Sequence, residues 1–462
     1  MKSKTSEKYP GSALCIIYCS LIAMSNCGAP EIKLRDNKME PVIEKTISNY
    51  TPITNGVYKK ALDKKEQSID DIFILALDRS EKIAIGAEDL FQAREKTRQA
   101  WGAVLPQVSF RANVYTLPAA PTGGSFNQGY RFYARQSIMT GLDEYSAIEA
   151  APLNEKYSAL RLKEQAALLY DQISQIFYKY LLLQDSLKTQ NILLESSSDL
   201  KNELEKRFYL GKIRRSEILS VEAVIAKTQA QLVNTEVLIS EAQKNIRSLA
   251  GLDRDFTPEN PGSEDNFNSD HYPGNFFGQP ENVQKRPDLA ALKTAWELAK
   301  ITTLNVLGGH LPSIYLEGQY RIPNSSEKST TGIPDFYGGI VAQFPLFSGG
   351  IVHSQYLAAK SQEYQAELRY RELLRTAGEE LDFYVHSWQA GEKQLSLLKT
   401  AKDRADNAYN TTLADYGIGQ ATNLEVLSAL NNQAAARDEF EKTTLNQKLL
   451  IVHIKILAGE LP

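Results

Sequence analysis

The stretch YGIGQATNLEVL, at positions 416–427, has an earlier counterpart in FYLGKIRRSEIL, at positions 208–219. Gly419 and Gly211 stand 208 positions apart (419 − 211), and the same offset holds over more than a hundred residues around them. Such a constant spacing indicates an internal duplication. In each copy an aromatic-x-x-Gly turn separates two long helical patterns, which predicts the tip of a helical hairpin.

Long helices are predicted on both sides of each turn. Between positions 142 and 210 there is no glycine, Pro152 is the only proline, and apolar residues recur every three to four positions. This pattern is typical of a coiled coil. We therefore predict helices over 142–210 and 218–249 in the first copy, and over 353–415 and 424–457 in the second.

Each copy also carries two segments that alternate between apolar and polar residues. The first segment, at 107–115, alternates strictly. A Leu-Pro dipeptide precedes this segment and also the first segment of the second copy. The four predicted strands are 107–115, 130–138, 313–321 and 337–346. Their length suits tilted membrane strands. Four strands cannot close a barrel in lipid, so three chains would have to share one of 3 × 4 = 12 strands. The alternative is a pair of surface hairpins on a soluble core.

The N-terminus has the features of a secretory leader. Basic residues precede an apolar run too short to span a bilayer. All three cysteines, Cys15, Cys19 and Cys27, lie in this region. We predict a signal peptide over 1–26 and lipidation of Cys27, with palmitate among the acyl chains. Ordinary signal cleavage or a free thiol are the alternatives.

These patterns predict the domain organisation. A tether at 27–66 precedes a first repeat at 67–251, a linker at 252–285 and a second repeat at 286–462. The fold class is mainly α with a membrane β part: duplicated long antiparallel coiled-coil hairpins with four membrane strands per chain. The first repeat opens with a helix predicted from Ile69 to Trp101.

Composition and motifs argue against an enzyme or a nucleic-acid-binding protein. The net charge is −4, so no global basic field attracts nucleic acid. The five histidines are scattered, and no zinc motif, phosphate-binding glycine loop or nucleophile elbow occurs. We expect no catalytic residue, no cofactor and no metal.

Four motifs together resemble the TolC-type outer-membrane efflux family, in its lipoprotein branch. They are the Arg-Pro-Asp-Leu stretch at 286–289, Leu-Pro at 311–312 before a strand, PLFSGG at 345–350 and Tyr416-x-x-Gly419 with the following Glu-Val-Leu. Each is weak alone. In this order, within this duplication, they are specific.

The resemblance implies a homotrimer in the outer membrane of a Gram-negative bacterium, with a shared 12-stranded barrel on a periplasmic helical tunnel. It implies a multidrug-type tripartite efflux system with a periplasmic adaptor and an RND-type inner-membrane pump. Two other functions stay open. One is a lipid-anchored periplasmic coiled-coil scaffold without a pore, and the other is a type I protein-secretion duct.

The resemblance also implies roles for single residues at the hairpin tips. Glu425 matches an acidic residue at the family's constriction, and Tyr416 matches a tyrosine that holds the closed aperture. Glu217 is the repeat counterpart of Glu425 and the expected partner of Tyr416. Ser428 and Ala421 replace an acid and an arginine found in some members. Helix-dipole stabilisation by the acids and simple packing by the tyrosine are the alternatives.

Two further groups of residues receive expected roles. Arg207, Gly211 and Gly419 match the turn elements on which adaptor hairpins dock, although glycine also simply favours helix ends. Arg111, Arg131 and Arg135 are expected to face the barrel lumen, because charge facing lipid costs about 2–4 kcal/mol at the midplane.

Overall fold

The computed structural model describes residues 66–116, 126–251, 257–259, 283–322 and 336–460. Most of them are helical, and the remainder form one four-stranded sheet and short connections. None of the described helices has the length and hydropathy of a membrane span. The predicted signal peptide and Cys27 lie outside the described residues, as does most of the predicted linker.

The described residues form seven α-helices. In chain order they are α1 (Ile69–Arg79), α2 (Glu81–Ala103), α3 (Asp143–Tyr209), α4 (Arg215–Ala250), α5 (Pro287–Leu307), α6 (Ile351–Gly417) and α7 (Asn423–Leu457). Helices α3 and α6 have 67 residues each, which corresponds to about 100 Å of length. A short 3₁₀ turn, Gly308–His310, follows α5.

The long helices pair as the duplication predicts. Helix α3 packs against α4, and α6 packs against α7, so that each copy forms one antiparallel hairpin. Helix α3 also contacts α7, which joins the two hairpins. The predicted helix starts and ends agree with the structure to within a few residues.

The four predicted strands form a single antiparallel sheet. They are β2 (Gln107–Thr116), β3 (Phe126–Thr140), β5 (Ser313–Ile322) and β6 (Phe336–Gln343), in the order β2-β3-β5-β6. The central β3–β5 pairing joins the two repeats, with Arg131 opposite Arg321 and a register shift between Ser137 and Met139. A separate two-residue parallel pair joins β1 (Glu66–Gln67) to β4 (Thr257–Pro258).

Three predicted boundaries are corrected by the structure. The helix predicted over 69–101 is interrupted at Ser80, whose extended backbone (ψ 120°) ends α1. The strand predicted over 130–138 begins earlier, at Phe126, because its pairing with β2 continues to the end of that strand. The strand predicted over 337–346 ends at Gln343, where its pairing with β5 stops at Ser313.

The Arg-Pro-Asp-Leu stretch forms the start of a helix in the structure. Pro287 is the first residue of α5, where its missing N–H removes no helical hydrogen bond. Arg286 is largely buried and reaches Asp288 at 2.8 Å and Glu380 on α6 at 3.1 Å. This ion-pair network connects the start of the second repeat to its long helix. The apolar residues around it, including Leu289, Leu381 and Ile454, form one of the cores.

Candidate functional site

The two hairpin tips have the same backbone design. In the first turn, Gly211 has a φ of +68°, its N–H donates to the Phe208 carbonyl, and the next N–H, of Lys212, donates to the Arg207 carbonyl. The second turn repeats this pattern around Gly419, with a φ of +80°. Both turns are Schellman motifs, which place a glycine in the left-handed region just after a helix. The two copies therefore share the same turn geometry, including the individual backbone hydrogen bonds.

The helices that leave the turns start with an acid in the third position. The Glu425 carboxylate accepts hydrogen bonds from the Thr422 N–H (2.6 Å) and hydroxyl (3.0 Å), while the Glu425 N–H donates to Thr422 Oγ1 (3.3 Å). This is a complete capping box. These bonds from Thr422 hold the pKa of Glu425 below its ordinary value.

The first tip forms only half of such a box. Glu217 Oε1 accepts from the Arg214 N–H at 3.4 Å, and the Arg214 side chain has no acceptor atom to complete the pair. Both acids thus occupy the structural position that the dipole alternative predicts. In this first-turn position, the Glu425 carboxylate is exposed at the end of the hairpin.

The two tips are joined by polar contacts from two residues. Arg207 lies at the end of α3, and its Cζ sits 4.2 Å from the centre of the Tyr416 ring, near the end of α6. The same guanidinium donates to the Tyr416 carbonyl (3.3 Å) and to Glu203 (3.0 Å). Asn423, the first residue of α7, donates through Nδ2 to the Glu217 carbonyl (3.3 Å). Arg207 and Asn423 therefore connect the first hairpin to the second.

Tyr416 is part of an apolar cluster shared by all four tip helices. The tyrosine is 6 % exposed and packs with Leu200 and Leu204 of α3, Val221 of α4, and Val426 and Leu427 of α7. Its buried hydroxyl has no hydrogen-bond partner among the described residues. Burial raises the pKa of the Tyr416 phenol, and nearby Glu217 raises it further.

Several of the expected site residues lie together in the structure. Glu217 and Tyr416 both line a shallow cleft of about 370 Å³ between the tips, together with Arg207. The hydroxyl of Tyr416 does not bond to Glu217. Its ring and carbonyl contact Arg207 instead, so that an arginine expected only at a docking surface also holds the hairpins together.

An apolar surface is exposed at the outer end of the tips. Tyr209 is 86 % exposed, and Leu210, Ile418 and Leu424 are also mostly solvent-accessible. A Cβ atom added to Gly211 or Gly419 would meet nothing within 4 Å. The turns and these four side chains together form an open surface, which we call the tip patch.

The strand sheet has one apolar and one polar face. Because residues paired across an antiparallel sheet share a face, the register assigns most of the large exposed apolar side chains to one side, including Val108, Phe110, Phe132, Leu316, Tyr320 and Ile340. The expected lumen residues Arg111, Arg131 and Arg135 all lie on the opposite face, with Glu317 and Arg321. The alternation predicted from sequence is therefore present on β2, β3 and β5, whereas on β6 Tyr337 and Val341 lie on the polar face.

Two residues and one contact of these sites were not predicted from the sequence. Asn423 and Arg321 carry no local motif, and the inter-hairpin contact of Arg207 joins residues 209 positions apart. The 208-residue offset could have drawn attention to Asn423, because it follows a helix-capping threonine at the repeat of Arg214. Arg321 could have been found by extending the predicted strand alternation to its last residue.

Comparisons with known proteins give one consistent result. The family model described as "Outer membrane efflux protein" matches residues 281–459. The outer membrane protein TolC of Vibrio cholerae is 21 % identical over 408 residues, covering 86 % of this chain and 91 % of that protein.

Solved structures show the same fold. A crystal structure of CusC aligns with a TM-score of 0.77 at 16 % identity, covering 85 % of this chain and 92 % of CusC. The outer membrane protein VceC from Vibrio cholerae aligns with a TM-score of 0.74 at 17 % identity, covering 85 % and 96 %. The predicted fold class is confirmed by these likenesses.

The family match covers the second repeat, which contains α5, the second strand pair and the second hairpin. The full-length relative and the structural neighbours extend the similarity over both repeats. The matched family and the full-length relative are both outer-membrane proteins, which agrees with an outer-membrane location and a role other than that of an enzyme. The second repeat therefore matches the outer membrane efflux protein family, and the whole chain is similar in sequence to TolC and in fold to CusC and VceC.

Proposed function

We propose that the chain forms the homotrimeric exit duct of a tripartite efflux pump. The observation that carries this proposal is the four-stranded sheet with one exposed apolar face. Strands β2 and β6 are its outer edges, and neither has a second partner strand among the described residues. Unpaired strand edges are not tolerated in lipid. Three chains joined edge to edge would remove every edge in a 12-stranded barrel.

The two faces of the sheet fit this arrangement. The apolar face suits contact with acyl chains, and the polar face with its arginines suits a water-filled lumen. The long hairpins would continue the duct into the periplasm, since helices of about 100 Å extend far beyond a bilayer of about 30 Å.

The hairpin tips are proposed as the gate of the duct. Arg207 and Asn423 hold the two hairpins of one chain together, and Tyr416 packs in the cluster between them. Opening would separate the hairpins and break these few contacts. Glu217 and Glu425, in the first turns of α4 and α7, would present carboxylates near the aperture while they also stabilise their helices.

The tip patch is the proposed docking surface for a periplasmic adaptor. Exposed apolar side chains clustered around two glycine turns are typical of a protein contact. Gly211 and Gly419 allow close approach of a partner backbone, whereas Arg207 contributes by fixing the spacing of the two turns. The adaptor would connect the duct to an RND-type inner-membrane pump, and lipidation of Cys27 would add an anchor in the outer membrane.

Native mass spectrometry of the detergent-purified full-length protein tests the assembly. We expect a complex of three times the protomer mass. A protomer that stays monomeric in every detergent that preserves its helix content would contradict the shared barrel. Cross-linking in cells separates the pump types, because a type I secretion duct would capture an ABC-type partner in place of an RND-type pump.

A further inference from the structure

Three arginines occupy directly paired positions on neighbouring strands. Arg111 on β2 is opposite Arg131 on β3, and Arg131 is in turn opposite Arg321 on β5. All three therefore project from the polar face of the sheet. We call this set the arginine row. Neighbouring strands lie about 4.8 Å apart, so the row spans about 10 Å.

The charges of the row are not neutralised within the described part of the chain. None of its members forms an ion pair with a described residue, and the buried Nε of Arg131 has no hydrogen-bond partner there. Arg111 instead stacks over Tyr133, with its Cζ 4.7 Å from the ring centre. Like charges directly opposite one another destabilise a sheet. The row therefore opposes folding unless an anion neutralises it.

Arg135 provides an internal comparison on the same strand and face. Its cross-strand neighbour is Glu317, whose carboxylate accepts a hydrogen bond from the Tyr133 hydroxyl (3.0 Å). The Arg135 guanidinium also lies 3.9 Å from the centre of the Tyr315 ring. Arg135 thus has an acidic neighbour in register, while the arginine row has none. The polar face of the described strands carries four arginines and one glutamate, which gives it a net charge of +3.

The chemistry of guanidinium indicates what the row would bind. Arginine presents a planar fork of donors that pairs with phosphate, sulfate or carboxylate in a bidentate manner. Three such forks within about 10 Å match an anion that carries several negative charges. The row lies on the face opposite to the apolar one, so its ligand reaches it from water and not from the bilayer.

We propose that the arginine row is a binding site for multivalent anionic solutes. Its placement inside the duct rests on the proposed function, whereas binding itself depends only on the observed register. In the duct, the row would concentrate anionic substrates in the β part of the channel. The row would also retard multivalent cations there, because like charges repel.

Isothermal titration of sodium triphosphate into the detergent-purified full-length protein tests this site. We expect saturable binding that weakens as salt is added, because salt screens the charges. The variant R111Q/R131Q/R321Q should lose at least about tenfold in affinity, since each substitution removes a charged donor pair. The matched control R135Q should stay within about twofold, because Arg135 lies opposite an acidic residue, Glu317, and outside the arginine row.

Two outcomes would overturn the proposal. One is the absence of triphosphate binding by the wild type at low salt. The other is an equal loss of affinity in R135Q, which would indicate a diffuse charge effect and not a site. Helix content and assembly mass of each variant are measured first. If R111Q/R131Q/R321Q does not assemble, the single variant R131Q replaces it.

A second arm separates a solute from a lipid headgroup as the ligand. Micelles that contain phosphatidylglycerol should not displace triphosphate, because the row faces away from the apolar side. Displacement by such micelles would contradict a solute site. The titration needs no ionic current. Intact binding in a protein that does not conduct would therefore contradict only the channel function, and conduction without binding would contradict only the site.

Discussion

At the residue scale, Arg207 performs several tasks with one side chain. Its guanidinium contacts the ring and the carbonyl of Tyr416 and pairs with Glu203 on its own helix. A lysine would keep the charge but could not make these planar contacts together. The tyrosine hydroxyl, by contrast, is buried without a partner among the described residues. The ring and not the hydroxyl therefore holds the hairpins together.

Substitutions of Tyr416 separate these two parts of the side chain. We expect Tyr416→Phe to leave the free energy of unfolding unchanged or slightly higher, because no hydrogen bond is lost. Tyr416→Leu should lower it by about 1–3 kcal/mol, since the ring under Arg207 is removed from a buried cluster. Urea unfolding in detergent, followed by circular dichroism, measures both. Equal damage by the two substitutions would show that the hydroxyl does bond in the assembled protein.

Glu425 makes the second tip sensitive to acid. Its pKa is lowered in the folded protein, so its stabilising contribution is present above the ordinary glutamate pKa and is lost as pH falls through the lowered value. Amide protection at Thr422 and Glu425, measured by hydrogen exchange, should therefore decrease towards acid pH. Glu425→Gln should show low protection that no longer changes with pH in this range. Equal pH dependence in wild type and variant would assign the effect to another group.

At the element scale, the turn glycines and Gly378 within a helix are expected to respond oppositely to alanine. Gly419→Ala should destabilise the protein by about 1–2 kcal/mol, because its φ of +80° is strained for a residue with a Cβ atom. Gly211→Ala should behave alike. Gly378→Ala is the matched control, since Gly378 lies within α6 and has open space around it.

The control should stabilise the protein by about 0.5–1 kcal/mol, the difference between glycine and alanine in a helix. Thermal unfolding of the three variants tests the opposite signs. Stabilisation of the protein by Gly419→Ala would show that the second turn adopts another backbone conformation in the assembly.

The sequence predicts these elements well where the pattern is local. Helices α3 and α6 and all four strands follow from periodicity, and the turns follow from Gly211 and Gly419. The break at Ser80 was missed, because neither proline nor glycine stands there. It depends on tertiary contacts: Arg79 donates to the Gly251 carbonyl, far along the chain.

The site was predicted only in part for the same reason. The family resemblance predicts that Tyr416 and Glu425 lie at the tips. The alternation of the strands predicts that Arg111 and Arg131 lie on the same face of the sheet. The contact between Arg207 and Tyr416 and the pairing of Arg131 with Arg321 join distant parts of the chain. Such pairings depend on the register of packed helices and strands, which no local pattern determines.

At the scale of the whole molecule, the duplication produces two hairpins, and the proposed gate requires that they are joined at their tips but able to separate. The joining contacts are few: one arginine, one asparagine and a cluster of apolar side chains. A coupling of about 1–2 kcal/mol changes a two-state equilibrium by a factor of about 5–30. Removal of the polar contacts should therefore change the open population measurably without unfolding the hairpins.

Single-channel recording in planar bilayers tests the central claim, a pore that is gated at the hairpin tips. The variant R207A/N423A removes the polar side-chain contacts that Arg207 and Asn423 make between the hairpins at the tips. The control R437A removes an ion pair of 2.8 Å to Asp406, which lies within the second hairpin. We predict brief, small openings in the wild type and in R437A, and an open population about 5–30-fold higher in R207A/N423A. A large conductance that R207A/N423A leaves unchanged would contradict gating at the tips, and no conductance in any of the folded proteins would contradict the channel itself.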